Sequence, residues 1–281
     1  MSKKNKIQLS NQLVLNQYML HLFEVDTFED LTKEMKDNSL EEIDVDNVTR
    51  FYKHLSTRLI DREELNADIL RQYDENIVSH TLRINYQREK EVKWKYFQYL
   101  SLLFTEIYLD RYFNQREKLL SDLNSFVDKF NKDKSKTDQL DYYDEDELKK
   151  LAFWNATGSG KTLIMHINVL QYLHYFRKSN SRNELDQIIL ITPSEDLSKQ
   201  HLREFEISGL QATLFDKNMQ GLFRGEEISI INIQRLDDEM GDKTVAIGAF
   251  ERNNLVLDDE RHRGSSGKKW RDMREQMSEQ G

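Results

Sequence analysis

Residues 153–166 read FWNATGSGKTLIMH, and this stretch decides the fold. Gly158 and Gly160 allow the backbone to curl until its N–H groups point inward at an anion. The run after them is rich in Leu, Ile and Met, and so starts a helix whose N-terminal end adds positive charge at the same point. In such a loop Thr157, Gly158, Ser159 and Gly160 form the cradle, Lys161 reaches the β- and γ-phosphates of a nucleotide, and the Thr162 hydroxyl ligates Mg²⁺. The preceding LAFW, residues 151–154, reads as the strand that feeds the loop. A surface loop could also hold Gly-Ser-Gly-Lys-Thr, but strand, loop and helix together favour the phosphate loop. Asn155 stands where the pattern usually opens with Gly or Ala, which predicts an altered fit at the loop's edge rather than loss of binding.

Outward from this loop, short β-rich runs alternate with helical ones. A helix over 161–177 is followed by QIILIT (187–192), a helix over 195–206, ATLF (212–215), ISIINI (228–233), a helix over 245–250 and NLVLD (254–258). Such alternation predicts a parallel sheet with crossover helices, whose ligands bind outside the carboxyl ends of the strands. The last strand runs into DERH, residues 259–262. There Asp259 would hold the metal, Glu260 would polarise an attacking water, and His262 completes the order Asp, Glu, any residue, His. Taken alone, these residues are an ordinary acidic turn. Asp258 sits where the strand pattern prefers an apolar residue, and a buried carboxylate there would cost stability or have its pKa raised. In ITPSEDLSKQ (191–200), Pro193 stops a strand and Ser194 begins a helix with free N-terminal N–H groups. That junction suits either a phosphate contact or a purely structural turn.

The first half is of a different kind. Apolar residues recur at helical spacing, with Leu15, Tyr18, Met19 and Leu22 in one stripe and Tyr96, Tyr99, Leu100, Leu103, Phe104 and Ile107 in a stronger one. Helices are expected near 8–24, 45–59, 63–88, 95–113 and 116–130, broken by polar clusters such as DNSLEEIDVDN. The segment 131–147 has the charge density of a solvated loop, its acidic end a repelling surface rather than a metal site.

With 281 residues, 38% hydrophobic and 32% charged, the chain can bury a substantial core, and no apolar run reaches the length of a bilayer span. The basic start MSKKNKIQLSNQ has no apolar stretch after it and does not read as a secretory signal, so the cytoplasm is expected. The absence of Cys removes disulfides, thiolate metal sites and cysteine nucleophiles. A net charge of −9 argues against coating nucleic acid by bulk electrostatics, though not against gripping a strand in a local groove.

Taken together, ATGSGKT, TPSEDLSKQ and DERH resemble motifs I, Ia and II of the first motor domain of superfamily 2 helicases and translocases. More narrowly, FWNATGSGKTLIMHINVLQYLHYF, ILITPSEDLSKQHLREFEISG and NLVLDDERHRGSSG resemble the helicase subunit of type III restriction enzymes. The resemblance covers 95–281 and divides the chain into a helical N-terminal region, 1–94, and an α/β, RecA-like P-loop NTPase domain, 95–281. It implies ATP with Mg²⁺, duplex DNA as the track, and a methyltransferase or specificity subunit as partner. It implies catalytic roles for Lys161, Asp259, Glu260 and His262, and nucleic-acid contacts at Pro193, Ser194 and Gln200. Gln98 is matched to the Gln that reads adenine upstream of motif I, although its helix is also the strongest core stripe. The chain departs from the pattern at Arg261, where the group usually has Gly, and at Asp258. Both departures bear on turnover more than on nucleotide binding. No Ser-Ala-Thr motif or second RecA-like domain with its arginine finger follows, so either the chain natively ends here or it is the N-terminal piece of a longer motor. Two other readings stay open: a non-catalytic ATP-binding interaction module, and a P-loop enzyme outside the helicases.

Overall fold

The alternating half of the chain forms a parallel sheet. In the computed structural model, which describes residues 13–59, 63–179, 185–215, 226–237, 245–246 and 253–259, the strands are β1 (Gln187–Thr192), β2 (Ala212–Leu214), β3 (Ile228–Asn232), β4 (Leu236–Asp237), β5 (Val245–Ala246) and β6 (Asn254–Asp258). Four of them make one sheet in the order β2, β3, β1, β6. All three pairings are parallel, with Ile188 opposite both Ile228 and Leu255. The central position of β1 explains its unbroken apolar run, because a parallel strand is covered on both faces. Ile188, Ile189, Leu190 and Ile191 are all fully buried.

Two helices flank these strands in sequence, α7 (Lys161–Lys178) and α8 (Glu195–Ile207). Ser194 caps α8 by accepting a hydrogen bond from Leu197 N, and Glu195 and Asp196 in the first turn complement the helix dipole. The helix ends in a Schellman turn. Gly209 takes a left-handed φ of 66°, Leu210 N donates to Phe205 O and Gly209 N donates to Glu206 O.

Two sequence expectations fail here. Residues 151–154 form no strand; Phe153 and Trp154 are exposed, Trp154 at 80%. An aromatic-rich run is a strand only when a partner pairs with it, and the described residues supply none. The helix expected over 245–250 is also not found at its start, where Val245 and Ala246 pair in parallel with Leu236 and Asp237. A short run interrupted by Gly248 is too short to nucleate a helix against an available strand partner. Residues 247–250 lie outside the described residues.

The helical half contains α1 (Val14–Leu22), α2 (Phe28–Thr32), α3 (Arg50–Ser56), α4 (Ala67–Asn85), α5 (Tyr96–Asn114) and α6 (Arg116–Asn131). The five helices expected there are present: α5 and α6 keep their expected bounds to within a residue, α3 and α4 are shorter at both ends, and α2 was not foreseen. α5 is buried on most sides, with Tyr99, Leu100, Leu102, Leu103 and Ile107 at 1% exposure or less. Its Tyr99 hydroxyl donates to Asp74 at 2.7 Å, and Asp74 also accepts from the Thr49 amide at 2.7 Å and the Thr49 hydroxyl at 2.6 Å. Burial raises the Asp74 pKa while these donors oppose the shift.

The charged segment after α6 is more ordered than a solvated loop. Asn131 exchanges two hydrogen bonds with the backbone of Leu140, at 2.9 and 2.8 Å, and Asn124 does the same with Tyr143, at 3.0 and 2.8 Å. These two amides lie two turns apart on one face of α6 and pin residues 140–143 along it.

The chain clusters into two compact units. The first comprises the described parts of Met1–His80 and Val92–Ser159, the second those of Thr81–Glu91 and Gly160–Gly281. Helices α5 and α6 and the charged segment therefore belong with the helical unit, not with the sheet.

Candidate nucleotide site

Beyond the carboxyl ends of β1 and β6 lies a cleft of about 560 Å³, lined by Thr162, Pro193, Ser194, Gln200, His201 and Asp259 among others. The sheet register creates it. Ile191 stands opposite Asp258, so the residues just past both strands, Pro193 and Asp259, emerge at one edge. At the end of β1 the Thr192 hydroxyl lies 2.6 Å from that of Ser198, which donates to Ser194 O at 3.1 Å. This small polar cluster seats the first turns of α8 against the strand end. Ser194 and Gln200 remain exposed.

The loop expected to hold phosphate enters α7 with the backbone its glycines allow. Gly158 and Gly160 adopt φ of 76° and 79°, the left-handed region that side chains disfavour. Gly160 caps α7, and its carbonyl accepts from Leu163 N and Ile164 N. A Cβ built on Gly158 would meet nothing within 4 Å, so open space lies over the loop. The Ser159 hydroxyl oxygen is buried without a hydrogen-bond partner. Open space above a left-handed Gly beside an unsatisfied donor suits an incoming phosphate. Lys161 is half-buried at the first position of α7.

Gln98 also approaches this loop. Its Oε1 accepts from Lys95 N at 2.8 Å, half of a capping box at the start of α5, while Nε2 donates to Ser159 O at 2.8 Å. Both ends of the amide are thus engaged by backbone.

Asp259 is 15% exposed and Asp258 is exposed, so the cost foreseen for burying a second carboxylate does not arise. Thr162 and Asp259 line the same cleft and supply a hydroxyl and a carboxylate oxygen, the hard donors that Mg²⁺ takes. Asp196, exposed in the first turn of α8, lines it too. Glu260 and His262, like Arg261, lie outside the described residues.

The most buried of the cleft residues escaped the sequence reading. His201 on α8 is 2% exposed, and its Nε2 lies 2.8 Å from Asp259 Oδ2. The signal was the spacing of Ser198, His201 and Phe205, which puts all three on the buried face of α8.

Residues 108–280 match the family model described as type III restriction enzyme, res subunit. The chain belongs to the type III restriction res-subunit family. No curated protein and no solved structure matches it. The res-subunit family brings a helicase-like, RecA-like ATP-binding domain, and its match takes in α7, the parallel sheet and every residue of the cleft. No helix among the described residues is long and apolar enough to cross a membrane.

Behind the cleft, the res-subunit sheet unit buries a second imidazole. His166 on α7 is fully buried and stacks on Phe205, ring centroids 4.3 Å apart. Arg88 donates to the Ser208 hydroxyl at 2.7 Å, and that hydroxyl lies 2.8 Å from His166 Nδ1. Burial, aided by the charges of Arg88 and His201, pushes the His166 pKa down to about 3. It is a neutral packing group.

Proposed function

We propose that this chain is the first motor domain of an ATP-dependent DNA helicase or translocase of the restriction type. The observation that carries the reading is the single cleft in which Thr162, Pro193, Ser194, Gln200 and Asp259 meet beyond the strand ends. Those residues come from three separate stretches of sequence, and their convergence is what a nucleotide-driven motor requires.

In this reading the loop from Thr157 to Gly160 presents backbone N–H groups to the phosphates, and Lys161 neutralises charge on the transferred group. Thr162 and Asp259 hold Mg²⁺, which when bound supplies charge neutralisation to the phosphoryl oxygens. Glu260 orients the attacking water, and His262 completes the acidic motif. Gln98 steadies the Ser159 carbonyl and contacts the adenine edge if its amide is released. The exposed Ser194 and Gln200, with Pro193, contact the backbone of duplex DNA. Arginine assistance comes from a second RecA-like domain, and a methyltransferase or specificity subunit supplies target choice. The cytoplasm is the compartment that suits such a system.

Calorimetric titration of ATP, with Mg²⁺ or with EDTA and with or without duplex DNA, tests this reading. Metal-dependent binding whose affinity changes on adding duplex is expected. Metal-dependent binding indifferent to DNA would favour the non-catalytic ATP-binding module, and absence of nucleotide binding would refute the assignment altogether.

A further inference from the structure

Helix α8 sends one buried side chain into the cleft for which the proposed function has no use. His201 is 2% exposed, lies close to Phe205 on the buried face of its helix, and brings Nε2 to 2.8 Å from Asp259 Oδ2. Neither ring nitrogen makes a hydrogen bond of regular geometry among the described residues. A buried imidazole in that condition is an expensive way to fill space, since an unsatisfied buried polar group costs roughly 1–3 kcal/mol. Leu or Phe would pack the same face without that cost. The imidazole is therefore better explained by what it faces.

We infer that His201 is a positioning residue for Asp259. The ring is held by burial on a capped helix, so its Nε2 side restricts rotation of the carboxylate and engages Oδ2. An N–H directed at Oδ2 needs only the neutral ring with its proton on Nε2. Carboxylates that ligate metals are commonly held by such outer partners, and removing one typically costs about 10- to 100-fold in metal affinity. An off-line contact of this length is also of the kind that tightens once the site is filled. Since Gln200 precedes His201 on the same helix, the residue proposed to touch DNA and the residue that orients the acid are covalent neighbours.

This inference rests on the reading in which Asp259 holds the metal of a bound nucleotide, and the test separates the two. Mn²⁺ serves as the probe, titrated by electron paramagnetic resonance into the full chain with saturating ADP. His201→Phe should weaken Mn²⁺ binding by about tenfold or more. His201→Gln, which returns an N–H donor near the Nε2 position, should recover most of it. ADP affinity measured in EDTA should be the same in all variants, which also reports that each is folded; if Phe is not accommodated, His201→Leu carries the same expectation. Wild-type Mn²⁺ affinity in His201→Phe or His201→Leu, with Asp259→Asn clearly weakened, would make His201 a core residue and overturn the inference alone. An Asp259→Asn chain that binds Mn²⁺ as the wild type does would remove the metal role of Asp259, and the positioning role with it.

Discussion

The Gln98 side chain donates from Nε2 to the carbonyl oxygen of Ser159 at 2.8 Å. A side chain in the first turn of α5 thereby restrains the loop before α7, while its other end caps the same helix through Lys95 N. Two substitutions separate these duties. Gln98→Glu keeps the acceptor for Lys95 N but turns a donor into a carboxylate facing the Ser159 carbonyl. It should lower ATP affinity with little loss of helix stability. Gln98→Ala should do both, lowering the melting temperature through loss of the cap, worth about 1 kcal/mol. If neither variant changes the preference for ATP over GTP in competition binding, the adenine role of Gln98 falls and the restraint on the loop remains.

Lys161→Ala should leave the fold intact, because the residue is half-buried at the first position of α7 and serves no core. The lost charge-assisted contact to phosphate is worth roughly 1.5–3 kcal/mol, or about 10- to 100-fold in affinity. Calorimetry of Mg·ATP binding checks it. Unchanged affinity would dismiss the phosphate-loop assignment.

His166 makes stability depend on pH with a definite sign. Its folded pKa lies far below the ordinary value, near 3, so below about pH 6.5 the unfolded chain binds a proton that the folded chain refuses. Its contribution is fully present above the unfolded pKa and is lost as pH falls toward 3. The slope it adds approaches about 1.4 kcal/mol per pH unit within that window. Urea unfolding between pH 7 and pH 4 should show a steeper decline in wild type than in His166→Asn. Parallel declines would show that other groups dominate acid unfolding.

The two clamps on α6 give a further handle. Asn131→Ala deletes both bonds to Leu140, each worth about 0.5–1.5 kcal/mol net. Limited proteolysis should then cut faster within 132–140 than in wild type, with the Asn124 clamp slowing cleavage past Tyr143. Asn131→Asp should be at least as damaging, since a carboxylate would face the Leu140 carbonyl. An unchanged cleavage pattern would mean that the segment is held by something else.

The parts of the fold legible in the sequence were those whose cause is local. The apolar run Ile188–Ile191 between Asp186 and Pro193 marks a buried parallel strand, and Ser194 announces α8 by its capping chemistry. The left-handed turn before α7 is legible because Gly158 and Gly160 tolerate a positive φ and the Leu- and Ile-rich run after them starts a helix. LAFW was misread because β-rich composition says nothing about whether a neighbouring strand pairs with it. Val245 and Ala246 went the same way in reverse, their state decided by Leu236 and Asp237. The order in the charged segment was invisible because it rests on two Asn amides that look solvated in isolation. His201 was half legible: its place on the buried face follows from periodicity, but its partner Asp259 is far along the chain, just past β6, and is brought to it only by the β1–β6 pairing.

The position of β1 between β3 and β6 has a consequence for how the protein is made. All of the helical unit's sequence precedes Gly160, and its contacts can form while later residues are still on the ribosome. The sheet cannot close so early. Its core strand waits for Asn254–Asp258 to be translated before its second edge is paired, a long-range pairing of the slow kind. Until then β1 offers an unpaired edge along a run of Ile and Leu, the kind of surface that recruits other chains. A product cut short before residue 254 keeps that edge for good, so expression fragments of the sheet unit should be chosen to include β6.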